Sequence, residues 1–321
     1  MRQLSAVKLL VAGTLMPSVF LFAMNAFGAD DKMLFSLGRS MSTTQIDNGT
    51  FGNQQSTLHG LSPYTPVLFV YNGIADPAPT SNVLFVKASQ GACSGVLKHG
   101  NCVLTAAHCA CKSIIGVYAV GPKSKMTLLQ LASEAIPMCG CKKDTYPPSL
   151  PDVAIMKLKN TDGLAPAAKI ASSSAIDGAL TGLFVFGYGE SDIGARSMST
   201  VGTRRYGGAL TVATSRRDKN VGTKTDHEYY GCNKGTDIVA FSSRYDQCEG
   251  DSGGPLFDGQ KANSKVLALA VRQVSDHDGE TAICGSGGIY VRLDGEVGEW
   301  IQKTMDGQLI NPPKICQADQ H

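Results

Sequence analysis

The chain has 321 residues, 43% of them hydrophobic and 17% charged, enough for one large or two modest domains with ample core. Lys and Arg number 29 against 27 Asp and Glu, a formal net charge of +2, so no strong field marks a nucleic-acid or anionic-membrane partner. Ten cysteines are many for a reducing compartment and read as a disulfide set if the chain is exported.

The N-terminus carries an export signal. Met1 to Lys8 is a short basic region, Leu9 to Phe22 is mostly apolar, and Asn25-Ala26-Phe27-Gly28-Ala29 offers small residues to a signal peptidase. Residues 1–29 are therefore expected to be a secretory signal peptide. Pro17 and the short apolar run argue against an uncleaved anchor. Export ends outside the cell or in a periplasm, and no membrane contact is expected after the signal is removed. Residues 30–69, rich in Ser, Thr, Asn, Gln and Gly without periodicity, read as a pro-segment or disordered leader.

Short β-type runs follow, punctuated by glycine and proline: Val83 to Val86, Gly95 to Leu97, Cys102 to Thr105, Val153 to Leu158, Leu183 to Phe186, Ala209 to Ala213, Ile238 to Phe241, Val266 to Val271 and Ile289 to Leu293. This pattern predicts an all-β sandwich or barrel pair rather than βαβ units, which need helical periods between strands. Val297, Trp300, Ile301 and Met305 recur at helical spacing and predict one closing helix over about 295–305, stopped by Gly307. A tail over 306–321 includes Asn311-Pro312-Pro313, and Cys316 can pin it back to the body.

Three segments carry chemistry. Leu104-Thr105-Ala106-Ala107-His108-Cys109 sets a histidine in a small-residue turn after an apolar strand, and Asp152-Val153-Ala154-Ile155-Met156-Lys157-Leu158 sets an acid at a strand entrance. Cys248-Glu249-Gly250-Asp251-Ser252-Gly253-Gly254-Pro255 sets a serine among glycines that leave backbone amides open. A serine hydroxyl needs a neighbouring base to attack at neutral pH, and an imidazole oriented by a carboxylate supplies it. The order His108, Asp152, Ser252 excludes an α/β-hydrolase, whose histidine follows its serine well downstream; only His277 and His321 follow Ser252.

With TAAHC, DVAIMKL and CEGDSGGP present in this order, residues from about Val70 to Ile301 resemble the trypsin/chymotrypsin family of serine endopeptidases. The resemblance implies two antiparallel Greek-key β-barrels packed together with a C-terminal helix. It divides the chain into a peptidase domain over 70–305, with a first barrel about 70–172 and a second about 173–293. It implies a catalytic triad of His108, Asp152 and Ser252, with the amides of Gly250 and Ser252 as the oxyanion hole.

The same resemblance makes Val70-Tyr71-Asn72-Gly73 the mature start and Asp251 the acid that pairs with the freed amino group. Phe69 precedes Val70, so a protease other than a tryptic one is expected to mature the chain. Asp246, six positions before Ser252, falls at the floor of the primary specificity pocket, where an acid selects Arg or Lys, and Gly288 keeps one wall open. On the other wall Val271-Arg272-Gln273-Val274-Ser275 departs from the family pattern; Arg272 would weaken basic selectivity if it pointed inward. The resemblance implies the bridges Cys93 to Cys109 and Cys248 to Cys284, and Cys111 is expected to pair with Cys139 or Cys141. Cys109-Ala110-Cys111 and Cys139-Gly140-Cys141 could instead hold zinc, but export favours disulfides, so no metal and no cofactor are expected. Partners are protein or peptide substrates and protein protease inhibitors, with no nucleic acid, and the protein is expected to be a monomer. The alternative is the same fold used as a non-catalytic binding or adhesion module.

Overall fold

The computed structural model describes residues 70, 73–76, 81–121, 125–178, 181–190, 202–214, 220–221, 224–225, 229–242, 244–261, 263–274, 284–308 and 312–317. The expected signal peptide and leader lie outside the described residues. In chain order, β1 (Ile74–Ala75), β2 (Val83–Ala88), β3 (Gly91–Lys98) and β4 (Cys102–Thr105) lead into a one-turn helix, α1 (Ala107–Ala110). Then come β5 (Ile114–Val120), β6 (Met126–Leu129), β7 (Ile136–Pro137), β8 (Ala154–Lys157), β9 (Lys169–Ile170) and α2 (Ser173–Gly178). The second half holds β10 (Leu183–Gly187), β11 (Arg205–Thr214), β12 (Asn220–Val221), β13 (Lys224–Thr225), β14 (Asp237–Phe241), β15 (Pro255–Phe257), β16 (Lys265–Gln273), β17 (Gly288–Arg292) and α3 (Gly295–Met305).

Two antiparallel sheets account for nearly all of these strands. The N-terminal sheet runs β6-β5-β2-β3-β4-β8-β7. It curls until the Ala132 N–H donates to the Lys157 carbonyl at 2.6 Å and the Lys159 N–H to that of Gln130 at 2.8 Å, which joins the chain after β6 to the end of β8. The C-terminal sheet runs β1-β11-β10-β15-β16-β17-β14, and pairing of β14 with β11 closes six of its strands into a barrel. The expected division near residue 172 differs from the strand pairing at two places. β1 pairs with β11, and β9 runs parallel to β16, so both ends of the first segment attach to the second sheet outside its six closed strands.

Burial explains why the central strands read clearly. Val83, Leu84, Phe85 and Val86 of β2 are all buried, on both faces of the strand, because one face fills the barrel and the other meets the neighbouring barrel. Phe85 packs edge-on against Tyr188 from the C-terminal half, with ring centroids 5.7 Å apart. In α3, Val297, Trp300 and Ile301 enter the shared core, and Gly307, at φ 72°, ends the helical segment. Asp294 does not cap the helix with its side chain; its carboxylate grips the buried guanidinium of Arg292 through Nε and Nη2, both at 3.0 Å.

A polar seam joins the barrels beside the Ser252 loop. The Tyr188 hydroxyl donates to the Val83 carbonyl at 2.9 Å, and the Tyr188 N–H donates to Ser94 Oγ at 3.0 Å. Ser94 Oγ in turn donates to the Gly250 carbonyl at 3.1 Å, and all of these groups are buried. Ser94→Ala would leave the Tyr188 N–H without a partner away from water, a loss of about 1–3 kcal/mol. Urea unfolding should show a lower midpoint at an unchanged slope.

Candidate active site

Local chemistry places each residue of the His, Asp, Ser set. Ala106 and Ala107 are fully buried, so the turn carrying His108 lies close against the core, and the Cys93–Cys109 bridge ties it to β3. His108 Nδ1 lies 2.6 Å from Asp152 Oδ2, and the His108 peptide N–H donates to Asp152 Oδ1 at 2.9 Å. One carboxylate thus holds both the ring and the backbone of the histidine, which favours the tautomer with its proton on Nδ1 and leaves Nε2 as an acceptor. Asp152 enters β8 behind Pro151, whose carbonyl accepts the Tyr146 hydroxyl at 2.7 Å. Tyr146 packs with Leu150, Ala107 and Ala154 in a small apolar cluster beneath the acid. The sequence reading missed this tyrosine, which lies in an irregular stretch with no periodicity to mark it.

Ser252 is held by both barrels. Its carbonyl accepts the Ser94 N–H at 2.8 Å, and the next residue, Gly253, donates to the Ala270 carbonyl at 2.6 Å. Cys109 Sγ lies 3.5 Å from His108 Nε2 and 3.9 Å from the Ser252 carbonyl oxygen, so the Cys93–Cys109 bridge packs beside base and serine segment alike. Gly250 has φ 93°, and a Cβ there would stand 2.8 Å from the Gly189 Cα, so only glycine fits. Among the described residues, the Gly250 and Ser252 N–H groups donate to no protein acceptor, which leaves both able to bind an oxyanion.

Two further acids of the set are wholly buried. Asp251 Oδ1 accepts the Gly189 N–H at 2.7 Å and Oδ2 the Cys248 N–H at 2.8 Å. Burial pushes its carboxyl up to about 7 despite those two donors. Asp246 accepts N–H bonds from Gln247 and Gly287 at 2.7 Å and from Gly285 at 3.1 Å, and burial pushes it up to about 7 as well. Val70 is buried among Leu183, Val185 and Leu210 in the second barrel, with φ 52°. A β-branched residue in that left-handed region is strained, because its Cβ crowds the following carbonyl.

A cleft of about 210 Å³ opens beside the serine, lined by Gln247, Cys248, Glu249, Ser252, Arg272 and Gln273. Gly288 is buried behind this lining, where a Cβ would meet the Tyr290 ring at 2.7 Å and Gln247 Cγ at 2.8 Å. Cys248 is bonded to Cys284, which ties the serine loop to the chain entering β17. The Arg272 guanidinium is committed to the Asp237 carboxylate at 2.7 Å and the Gly231 carbonyl at 3.1 Å. Burial pushes Asp237 up to about 6, and the Arg272 guanidinium holds it back. Burial raises the carboxyl of Glu190, and the neighbouring Glu249 carboxylate raises it further.

The remaining cysteines account for the zinc alternative. Cys111 is bonded to Cys141 and Cys139 to Cys316, so neither Cys-X-Cys pair offers a thiolate. Cys93, His108 and Cys109 place ligand-type atoms within 4.8 Å of one another, but both sulfurs there are in one disulfide. Among the described residues no helix is long and apolar enough to cross a membrane.

Residues 72–301 match the family model for Trypsin. A comparison with curated proteins found no match.

Asp246 and Asp251, like the buried Asp237, imply a stability that falls as pH rises. In the unfolded chain they release protons near the usual 3.8, whereas in the fold they keep them until about 7. The unfolded state therefore binds fewer protons between these limits, and the stability they contribute below pH 4 is lost as pH rises to about 7. Thermal or urea midpoints of the uncleaved chain should fall over this window. Asp251→Asn should flatten the slope, whatever it does to the absolute midpoint.

Proposed function

The chain belongs to the trypsin family of serine proteases, and from that premise we propose that it is an exported endopeptidase that cleaves after Arg or Lys through an acyl-enzyme. The observation that carries this reading is the double grip of Asp152 on His108, at 2.6 and 2.9 Å, in a turn packed beside the Ser252 loop. His108 Nε2 takes the Ser252 hydroxyl proton as Oγ attacks the scissile carbonyl, and Asp152 stabilises the imidazolium that results. The Gly250 and Ser252 amides receive the oxyanion. His108 then returns the proton to the leaving amine, and water repeats the sequence on the acyl-Ser252 ester.

Asp246 and Gly288 supply the selectivity. A carboxylate deep in a protein is uncompensated until a guanidinium or ammonium arrives, so a basic side chain gains a charge-assisted bond that an apolar one lacks. Asp251 stands in the same electrostatic condition. Cleavage between Phe69 and Val70 would create an ammonium able to neutralise it, and would free Val70 from its strained φ. Four disulfides among the described residues suit an oxidising, extracellular setting. Peptides and proteins are the substrates, protein protease inhibitors would compete for the same cleft, and the enzyme acts as a monomer.

A fluorophosphonate should label Ser252 in the exported, processed protein, and N-terminal sequencing should read Val70. Ser252→Ala should abolish labelling, and Asp152→Asn should lower turnover by about 10⁴. In peptides differing only before the scissile bond, Arg and Lys should exceed Leu and Phe, and Asp246→Ser should reverse the order. A correctly processed protein with an unreactive Ser252 would favour a non-catalytic binding module instead.

A further inference from the structure

Gln247 follows the acid read as selective and lines the cleft that should admit the substrate side chain. It is 2% exposed, and its side-chain amide Nε2 donates to the carbonyl of Arg272 and, at 3.4 Å, to that of Ile289. Arg272 and Ile289 are register partners on β16 and β17, so the amide ties to both walls. Its Cγ and the Tyr290 ring fill the place that a Cβ on Gly288 would take, so the glycine is what admits the glutamine side chain there. Gln247 lines the cleft beside Ser252, whereas neither Asp246 nor Gly288 does. Asp246 is wholly covered, with its carboxylate held by three backbone amides.

We propose that Gln247 is a specificity-determining plug: its side-chain amide closes the cleft above Asp246, and a basic side chain reaches that carboxylate only by displacing the amide from the two wall carbonyls. This rests on the reading of Asp246 as the selectivity acid. The exchange is selective because of what replaces the amide. A guanidinium brings five donors, enough to take over both carbonyls and still meet Asp246, so few polar groups are left unpaired. An ammonium has three donors radiating from one atom and covers the same acceptors less completely. A short or apolar side chain brings no donor, so it leaves Gln247 in place and rests above it. Each protein hydrogen bond exchanged is of modest net value, so removing the plug should be worth roughly tenfold in apparent affinity.

The test uses the processed enzyme and two substitutions. Gln247→Ala deletes the plug, and Gln247→Met keeps its bulk without the donors. Steady-state kinetics on Arg and Leu peptides, and binding of p-aminobenzamidine followed by its fluorescence, report on the cleft. With Gln247→Ala the kcat/KM ratio of Arg over Leu peptides should rise roughly tenfold, with the gain in KM, and the amidine should bind roughly tenfold tighter. An Arg over Leu ratio and an amidine affinity that stay level or fall would overturn the proposal. Should Gln247→Ala fail to fold, judged by loss of its cooperative unfolding transition, Gln247→Met decides: a threefold or greater gain in amidine affinity supports the plug, and none overturns it. Amidine binding needs no turnover, so an unlabelled Ser252 in the parent protein would sink only the catalytic reading. Asp246→Asn with undiminished amidine binding would sink the selectivity reading and the plug with it.

Discussion

Every functional distance in this protein depends on how the two barrels are held in register, and that task falls on Ser94. Its peptide N–H binds the Ser252 carbonyl, and its hydroxyl links the Tyr188 amide of one segment to the Gly250 carbonyl of another. The histidine and its acid come from the first sheet, whereas the serine and its glycines come from the second. Neither sheet holds a complete reactive set. A barrel interface made only of apolar side chains would tolerate sliding by fractions of an ångström, because burial is nearly indifferent to direction. Directional bonds at the meeting point remove that freedom between the His108 and Ser252 segments.

The molecule handles its buried acids in two ways. Asp294 and Asp237 each face a guanidinium, although burial still lifts Asp237 to about 6. Asp246 and Asp251 have only backbone amides, and burial wins over those dipoles, lifting both carboxyls to about 7. An acid left in this condition near a cleft is a standing demand for a cation. The demand at Asp251 can be met from within the chain once a new amino terminus exists. Among the described residues the hydrogen-bond partners of Asp246 are all backbone amides, and under the proposed reading its cation comes with the substrate.

Much of this was readable beforehand, for identifiable reasons. Strands buried on both faces, such as Val83 to Val86, are continuous apolar runs, and α3 shows three buried residues at helical spacing. The residues read as reactive stand in short segments whose small neighbours are dictated by close packing, as at Ala106, Ala107 and Gly250. β6, at the sheet edge, and β5 beside it escaped notice because Ile115, Met126 and Leu128 are exposed apolar residues that blur the alternation. The pairing of β1 with β11 joins residues far apart in the chain, and no local pattern encodes it. Gln247 was invisible for a different reason. A glutamine beside an acid gives no hint of whether its amide faces water or spans two walls, and only the wall carbonyls decide that.

The bond between Cys139 and Cys316 encloses 177 positions, nearly everything from the loop before Asp152 to the tail. A protease is surrounded by copies of itself, each able to clip an exposed turn. A single cut inside that covalent ring separates no fragments: the two pieces stay tethered, and the severed ends remain close enough to hold the fold. Protection against such cuts follows from where the last cysteine is anchored: on Cys139, which packs against the small apolar cluster beneath Asp152.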